Sequence, residues 1–483
     1  MTAVVGDIRC QTDSAVGVGG DPWRVTRRPI KSAVEVVRRR RGLGKMPGPV
    51  GLPVVGVMPQ LMRDPFGYNY ECAKRYGDVY RLPLPVYDVV MFNNPDDVPR
   101  VFNTNGGEFA FSSKATAFFS KVMLGGVMMG ALDGEPHAQR RKLISPMFSH
   151  RGLASVSDVI VDEFDRQLAK WDQWADSGQE FDLQEAIAGV TLPAFLRAMF
   201  SATITSAQEQ RLNSDSEIVK SQMSAMFLLR PPPNPYKLFR ASRDAMAFTR
   251  ELLDGRIARP ADTKDLLSVL VEHHLNRPDE YPYGDLLAES MLLIAAGYET
   301  VVAALSWTYA LMKDNLDTVR KLEDEVATLG GAKPQMADLK RLTWAKACFD
   351  EAQRLKGNPF KPHIAVKDIE LGGYSIPAGT MVAISLYSLH RDERWWPDPD
   401  RYDPTRFTDE AVATARPRTA FIPFTHGPHH CPGFSMAYMN GQFLMAMITQ
   451  RYQVTVRPGW QPIHDATGTT TVKGGVPVTI TRR

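Results

Sequence analysis

From Met291 to Met312 the chain is almost wholly apolar, and near the middle of that run stands one carboxylate, Glu299. A stretch so apolar has to be buried, in a bilayer or inside a domain. A spanning helix takes about 20 apolar residues without such a charge along the way, so Glu299 argues against a membrane span. It also sets a demand, because an acid in an apolar helix is costly unless it meets water or a partner. Any fold of this chain must be built round a long buried helix with a polar event in mid-course.

The remainder can supply that burial. Of 483 residues, 44% are hydrophobic and 23% charged, an ordinary globular balance for one large domain or a few average ones. The net charge of +3 gives no global attraction to nucleic acid. The four cysteines, Cys10, Cys72, Cys348 and Cys431, form no CxxC pair. No disulfide framework is expected, and the chain reads as intracellular and cytoplasmic. The N-terminus carries Asp7 and Arg9 and no apolar signal core.

Residues 1–45 read as a polar tail with little to bury. Its Arg38-Arg39-Arg40-Arg41 run is a solvated basic linker or, alternatively, a contact with an anionic membrane surface. Pro47-Gly48-Pro49, with Pro53 and Pro59 behind it, marks the entrance to a domain over 46–483. From Tyr76 to Phe102 the pattern is short and β-like, stopped by Asn93-Asn94-Pro95-Asp96. Helical periodicity follows. Ile160, Phe164, Leu168 and Trp171 share one helix face, and similar patterns run through 183–200, 240–257, 284–313 and 318–328. Prolines 231–233 and 235 break the helices there, and strand-like alternation returns at 364–387 and 452–480. The expected fold class is mainly α with small β-sheets.

The segment richest in chemistry is Phe421-Ile-Pro-Phe-Thr-His-Gly-Pro-His-His-Cys-Pro-Gly433. His426, His429, His430 and Cys431 fall within six residues, which reads as a metal site. Zinc sites usually pair two short clusters, and no second one exists: His273-His274 stands alone and Cys348 lies in a helical stretch. Haem needs one protein ligand and a backbone that lets a flat macrocycle approach. Gly427 and Gly433 flank the cysteine, and Pro432 suits a first helical turn before the apolar periodicity of 434–448. The Cys431 sulfur is then expected at a helix N-terminus, where N–H groups and the dipole favour thiolate.

This segment resembles the haem-binding loop of cytochromes P450, Phe-x-x-Gly-x-x-x-Cys-x-Gly, with Phe424, Gly427, Cys431 and Gly433 in place. His429 stands where the family often has a propionate-binding Arg or His, and Thr425 replaces a usual glycine. The resemblance covers about 46–483, with further motifs in the family's order. Ala296-Gly297-Tyr298-Glu299-Thr300 matches the oxygen-side motif of the long helix. The residues alone allow a kinked core helix with Thr300 bonded back to the Ala296 carbonyl. The resemblance makes Ala296 and Gly297 haem neighbours, and Glu299 and Thr300 a proton relay. Glu351, Arg354 and Arg406 match a buried network bracing the haem loop. His137 and Arg141, on one helix face behind Asp133, become propionate donors, and His363 stands where an Arg is usual.

The resemblance implies a triangular-prism fold, with haem b between the long central helix and the helix after Cys431. It implies a monooxygenase fed by a separate ferredoxin and its reductase, since the chain ends soon after Cys431 and leaves no length for a fused reductase. A peroxide-driven peroxygenase and a non-catalytic haem sensor are the rivals; the Glu299-Thr300 pair argues against both. Phe109 to Gly130 and Met223 to Phe239 are expected to roof the pocket, with Met291, Leu292, Ala295, Asn358, Pro359 and Phe360 on its walls. Lys114, Lys121 and Arg230 are the nearest charges, so the expected substrate is a bulky hydrocarbon with at most one polar end: a terpenoid, steroid or fatty acid.

Overall fold

The structure is a computed structural model that describes residues 40–85, 87–112, 114–227, 234–260, 264–464 and 470–483. Arg38 and Arg39, and residues 228–233 of the proposed second roof segment, lie outside the described residues, as do the side chains of 221–227.

The longer helices, in chain order, are α1 (Pro65–Tyr76), α2 (Lys114–Leu124), α3 (Gly134–Ile144), α4 (His150–Leu168), α5 (Leu183–Phe200) and α6 (Ser206–Phe227). They continue with α7 (Pro235–Ala258), α8 (Leu266–Asn276), α9 (Tyr283–Met312), α10 (Leu316–Ala327), α11 (Thr343–Lys356) and α12 (Phe434–Arg451). Among the described residues the strands are β1 (Val79–Pro83), β2 (Asp88–Phe92), β3 (Phe109–Ala110), β4 (Phe181–Asp182), β5 (Phe360–Ala365), β6 (Ile369–Leu371), β7 (Tyr374–Ile376), β8 (Met381–Ser385), β9 (Tyr452–Val456) and β10 (Pro477–Arg482). The molecule is mainly helical with small sheets, as expected.

The apolar run forms α9, and α5, α7, α11 and α12 pack against it. From Val301 to Ala310 every α9 residue is buried, so the helix is apolar all round because it is enclosed all round. It is long and apolar enough to cross a membrane, yet most of it is buried within the protein. Its hydroxyls are satisfied inside the helix: Ser306 bonds the Val302 carbonyl at 2.7 Å and Thr308 that of Ala304 at 2.8 Å. In α4 the stripe Ile160, Phe164, Leu168 and Trp171 is buried in the same core, and the Ser149 side chain caps the helix by accepting from the Gly152 N–H at 3.1 Å.

The larger sheet runs β1-β2-β8-β5-β3 and joins the two β-rich ends of the sequence. All its pairs are antiparallel except β2 with β8. A second sheet orders β4-β10-β9, and β6 pairs β7. The register sets Lys361 opposite Ile384 and His363 opposite Val382. Those four residues share the sheet face that packs on Phe102 and Ile422, the latter from the cysteine loop.

Several expectations change. Leu43, inside the proposed tail, is buried with the sheet, and Arg40 of the basic run is paired with Asp88 at 3.2 Å and is no free linker charge. Pro432 does not open a helix, because α12 begins at Phe434 with Gly433 as its N-cap. The first roof segment is in part regular: Lys114–Leu124 is helical, and only the chain beyond it is loop. Phe109 lies in β3 within the sheet core and not over a pocket.

Candidate active site

The cysteine loop is held by its own backbone. The Cys431 N–H donates to the Phe424 carbonyl at 2.9 Å, and His430 N–H to that of Gly427 at 3.0 Å. Gly427 has φ +70°, and a Cβ there would lie 2.3 Å from the Phe102 carbonyl oxygen. Glycine is required both by the conformation and by the approach of the Phe102 backbone. Gly433 differs, since the nearest protein atom to a Cβ there is 3.9 Å away. No protein neighbour demands that glycine, which is what a cofactor plane approaching it would explain. Thr425 also sits in the left-handed region, at φ 67°. That accounts for the glycine usual there, and its hydroxyl offsets the strain by donating to the His429 carbonyl at 2.9 Å.

Cys431 is half-buried. Burial pushes its thiol up, against the Gly433 N–H and the charges of Lys361 and Arg141. The sulfur stands two residues before the Gly433 N-cap of α12, whose N–H is the helix-terminal donor that acts on it.

Polar groups from several segments meet near it. Arg141 donates to the His430 carbonyl. The His137 and His429 rings lie 3.9 Å apart, and His429 stacks on Phe111 at 4.4 Å. His429 Nε2 lies 2.9 Å from an Asp133 carboxylate oxygen, so its other partner is already a protein group. Burial pushes His137 down to about 4 and His363 to about 3, leaving both neutral at pH 7. His363 is 1% exposed, and its ring makes no well-formed hydrogen bond, the Lys361 backbone being the one polar group near it. A buried neutral imidazole has one N–H to satisfy, and a carboxylate seated beside it would accept from that N–H. The donor set fits the propionates of a haem. Among the described residues no three His, Cys, Asp or Glu side chains converge as a metal cage, which disfavours the zinc alternative.

On α9, Ala295, Ala296 and Thr300 are exposed although the residues around them are buried. A strip of small residues open in the middle of a core helix marks a cleft running along it. The Thr300 hydroxyl donates to the Ala296 carbonyl at 3.0 Å. Gly297 presents elsewhere: a Cβ there would lie 2.2 Å from the Phe195 ring of α5. The helix is continuous through this turn. Glu299 is buried and accepts from the Ser216 hydroxyl of α6. It borders a cavity of about 730 Å³ with Tyr298, Gly189, Glu209 and Asn213. The expected relay residues thus have different immediate partners.

Behind the loop, Arg354 grips Glu351 through two hydrogen bonds of 2.7 and 2.8 Å. Arg406 approaches the same carboxylate at 3.5 Å but bonds the Asp398 carbonyl instead. One arginine, not two, is bidentate.

The pocket wall brings a further correction. Phe360 packs on Phe66 with ring centres 6.3 Å apart, so strand alternation puts Lys361, not Phe360, on the face shared with His363. The sequence does not single out Lys361, because a lone lysine beside the apolar Pro359-Phe360 pair does not show which face of the strand it takes. Its place two residues before His363 in a strand was the available signal.

A family model described as Cytochrome P450 matches residues 46–476. Cytochrome P450 132 of Mycobacterium tuberculosis is 28% identical over 377 residues, covering 73% of this chain and 79% of that protein. Cyclooctat-9-en-7-ol 5-monooxygenase of Streptomyces melanosporofaciens is 26% identical, covering 86% and 90% respectively. Ferruginol synthase of Isodon rubescens is also 26% identical, covering 83% and 85%.

Proposed function

The chain belongs to the cytochrome P450 family and is a haem monooxygenase, in which we propose that Cys431 is the iron ligand. When bound, haem supplies the activation of dioxygen, one atom passing into the substrate and the other leaving as water. The chain's own residues hold, orient and protonate. Arg141, His137, His363 and His429 receive the propionates, Phe424 and Gly433 admit the macrocycle to the sulfur, and Gly427 shapes the loop where it meets Phe102. Ala296 brings the backbone of α9 close, and Thr300 offers its hydroxyl on the open strip of that helix, whereas Gly297, expected to join them, serves the packing of α9 on α5. Glu299 serves as the proton reservoir from the opposite side of the turn.

The observation that best supports this reading is Gly433 beside Cys431: a Cβ there would meet no protein atom closer than 3.9 Å, space that a flat cofactor approaching the sulfur would fill. Substrates are bulky and largely hydrocarbon, of the terpenoid, steroid or fatty-acid kind; two relatives named for terpenoid chemistry point the same way. Electrons come from a ferredoxin and its reductase, and the protein works in the cytoplasm.

Reduced protein under carbon monoxide is the direct test. The wild type should give the spectrum peculiar to thiolate-ligated haem and Cys431→Ala should lose it; a variant that kept it would refute the assignment. Turnover should require an electron donor, and Thr300→Ala should lower product formed per reducing equivalent while haem and substrate binding persist. Turnover sustained by peroxide alone, with coupling indifferent to Thr300, would favour the peroxygenase.

A further inference from the structure

Lys361 is an ammonium without a counter-charge in a place where ammonium groups are rare. It sits within β5, on the face that carries His363 and packs on the cysteine loop through Phe102 and Ile422. No carboxylate of the described residues approaches its Nζ within 4.0 Å. Among the described residues its one polar contact is the Asn358 side-chain amide, whose oxygen, when turned toward it, accepts at 3.2 Å. The register of β5 on β8 thus leaves a half-buried lysine without a counter-ion on the face turned to the cysteine loop. Burying such a charge is costly unless an anion meets it.

We propose that Lys361 is the specificity-determining anchor for a carboxylate at one end of the substrate, with Asn358 steadying its ammonium. This rests on the haem monooxygenase reading and narrows its substrate class to hydrocarbon acids. A haem propionate carries the same chemistry. It is the weaker occupant, because Arg141, His137 and the single N–H of His363 already offer donors to the two propionates. A lysine suits a single carboxylate at the end of a flexible chain, since its compact charge can follow that group without fixed fork geometry.

The test uses the haem-loaded full chain and begins with the carbon monoxide spectrum of each variant, so that failure of the thiolate reading is seen separately. Dodecanoic, hexadecanoic and abietic acids are then titrated against their methyl esters, following the spin-state shift. In the wild type at least one acid should bind roughly ten- to a hundredfold tighter than its ester, the range for a charge-assisted hydrogen bond. In Lys361→Met that ratio should fall to about one with ester affinity kept, and Lys361→Arg should restore most of it. The proposal is overturned if acids and esters bind alike in the wild type. It is equally overturned if Lys361→Met keeps the ratio and instead loses haem or shifts its reduction potential, which would assign the ammonium to a propionate.

Discussion

Thr425 holds a backbone conformation that its own side chain opposes. A β-branched residue at φ 67° stores strain of about 1–3 kcal/mol, and the bond from its hydroxyl to the His429 carbonyl returns part of it. The two terms separate by substitution. Thr425→Gly removes both strain and bond, whereas Thr425→Ala removes the bond and keeps the strain. Thr425→Ala should therefore be less stable to urea than Thr425→Gly, by about 1 kcal/mol. Equal stabilities would mean that the loop relaxes out of the left-handed region. At this scale the sequence was most legible where a residue type is demanded by chemistry: Cys431 and Gly427 stand where the motif puts them. It was least legible where demand comes from across the fold. Gly297 answers to Phe195 of α5, and the charge of Lys361 acquires meaning only once β5 lies against the cysteine loop.

Among elements, α9 carries two kinds of face, and the loop after α2 is fastened to it. Gly126 lies so close to Gly284 that a Cβ would clash with its backbone. The Val127 N–H donates to Asp285 at 2.8 Å and the Met129 N–H to Glu289 at 2.6 Å. Arg140 of α3 pairs with Asp285, and its guanidinium lies 4.7 Å from the centre of the Tyr281 ring. Helical periodicity announced α9 but not this fastening, because Asp285 in the first turn and Glu289 in the second carry no sign of their partners in the sequence. Burial raises Glu289 from 4.5 to about 7, with Arg140 and the Met129 N–H pulling it down and Asp285 pushing it up. A carboxyl raised in the folded state contributes stability in full below about pH 4.5 and loses it as pH rises to about 7. Between those limits the wild type should lose about 3 kcal/mol relative to Glu289→Gln, whose amide keeps an acceptor for Met129. Urea unfolding of both proteins across that range measures it, and parallel curves would show that Glu289 ionises normally.

At the scale of the whole molecule, a buried ion pair ties parts far apart in sequence. Besides gripping Glu351, Arg354 donates to the carbonyls of His390 and Pro399 at 2.8 and 2.7 Å and to that of Arg401 at 3.2 Å. Glu351 in turn accepts from the Asp403 N–H at 2.8 Å. The His390 ring accepts from the Ile422 N–H at 3.2 Å, the first turn of chain into the cysteine loop. A continuous set of bonds therefore runs from α11 to the loop that carries Cys431. Spacing alone made Glu351 and Arg354 an unremarkable helix pair, since nothing in it reveals that both are fully buried. Glu351→Ala would leave Arg354 charged, buried and unable to leave, a state that costs about 3–5 kcal/mol. Glu351→Gln keeps one acceptor and the Asp403 contact, and should cost less. The expected order of haem content after purification is wild type, then Glu351→Gln, then Glu351→Ala, with the last largely haem-free or aggregated. Because the strain reaches Cys431 through His390 and Ile422, any haem that Glu351→Ala does retain should show an increased share of protonated thiol under carbon monoxide. A fully loaded Glu351→Ala protein with an unchanged spectrum would show that the cysteine loop stands without this brace.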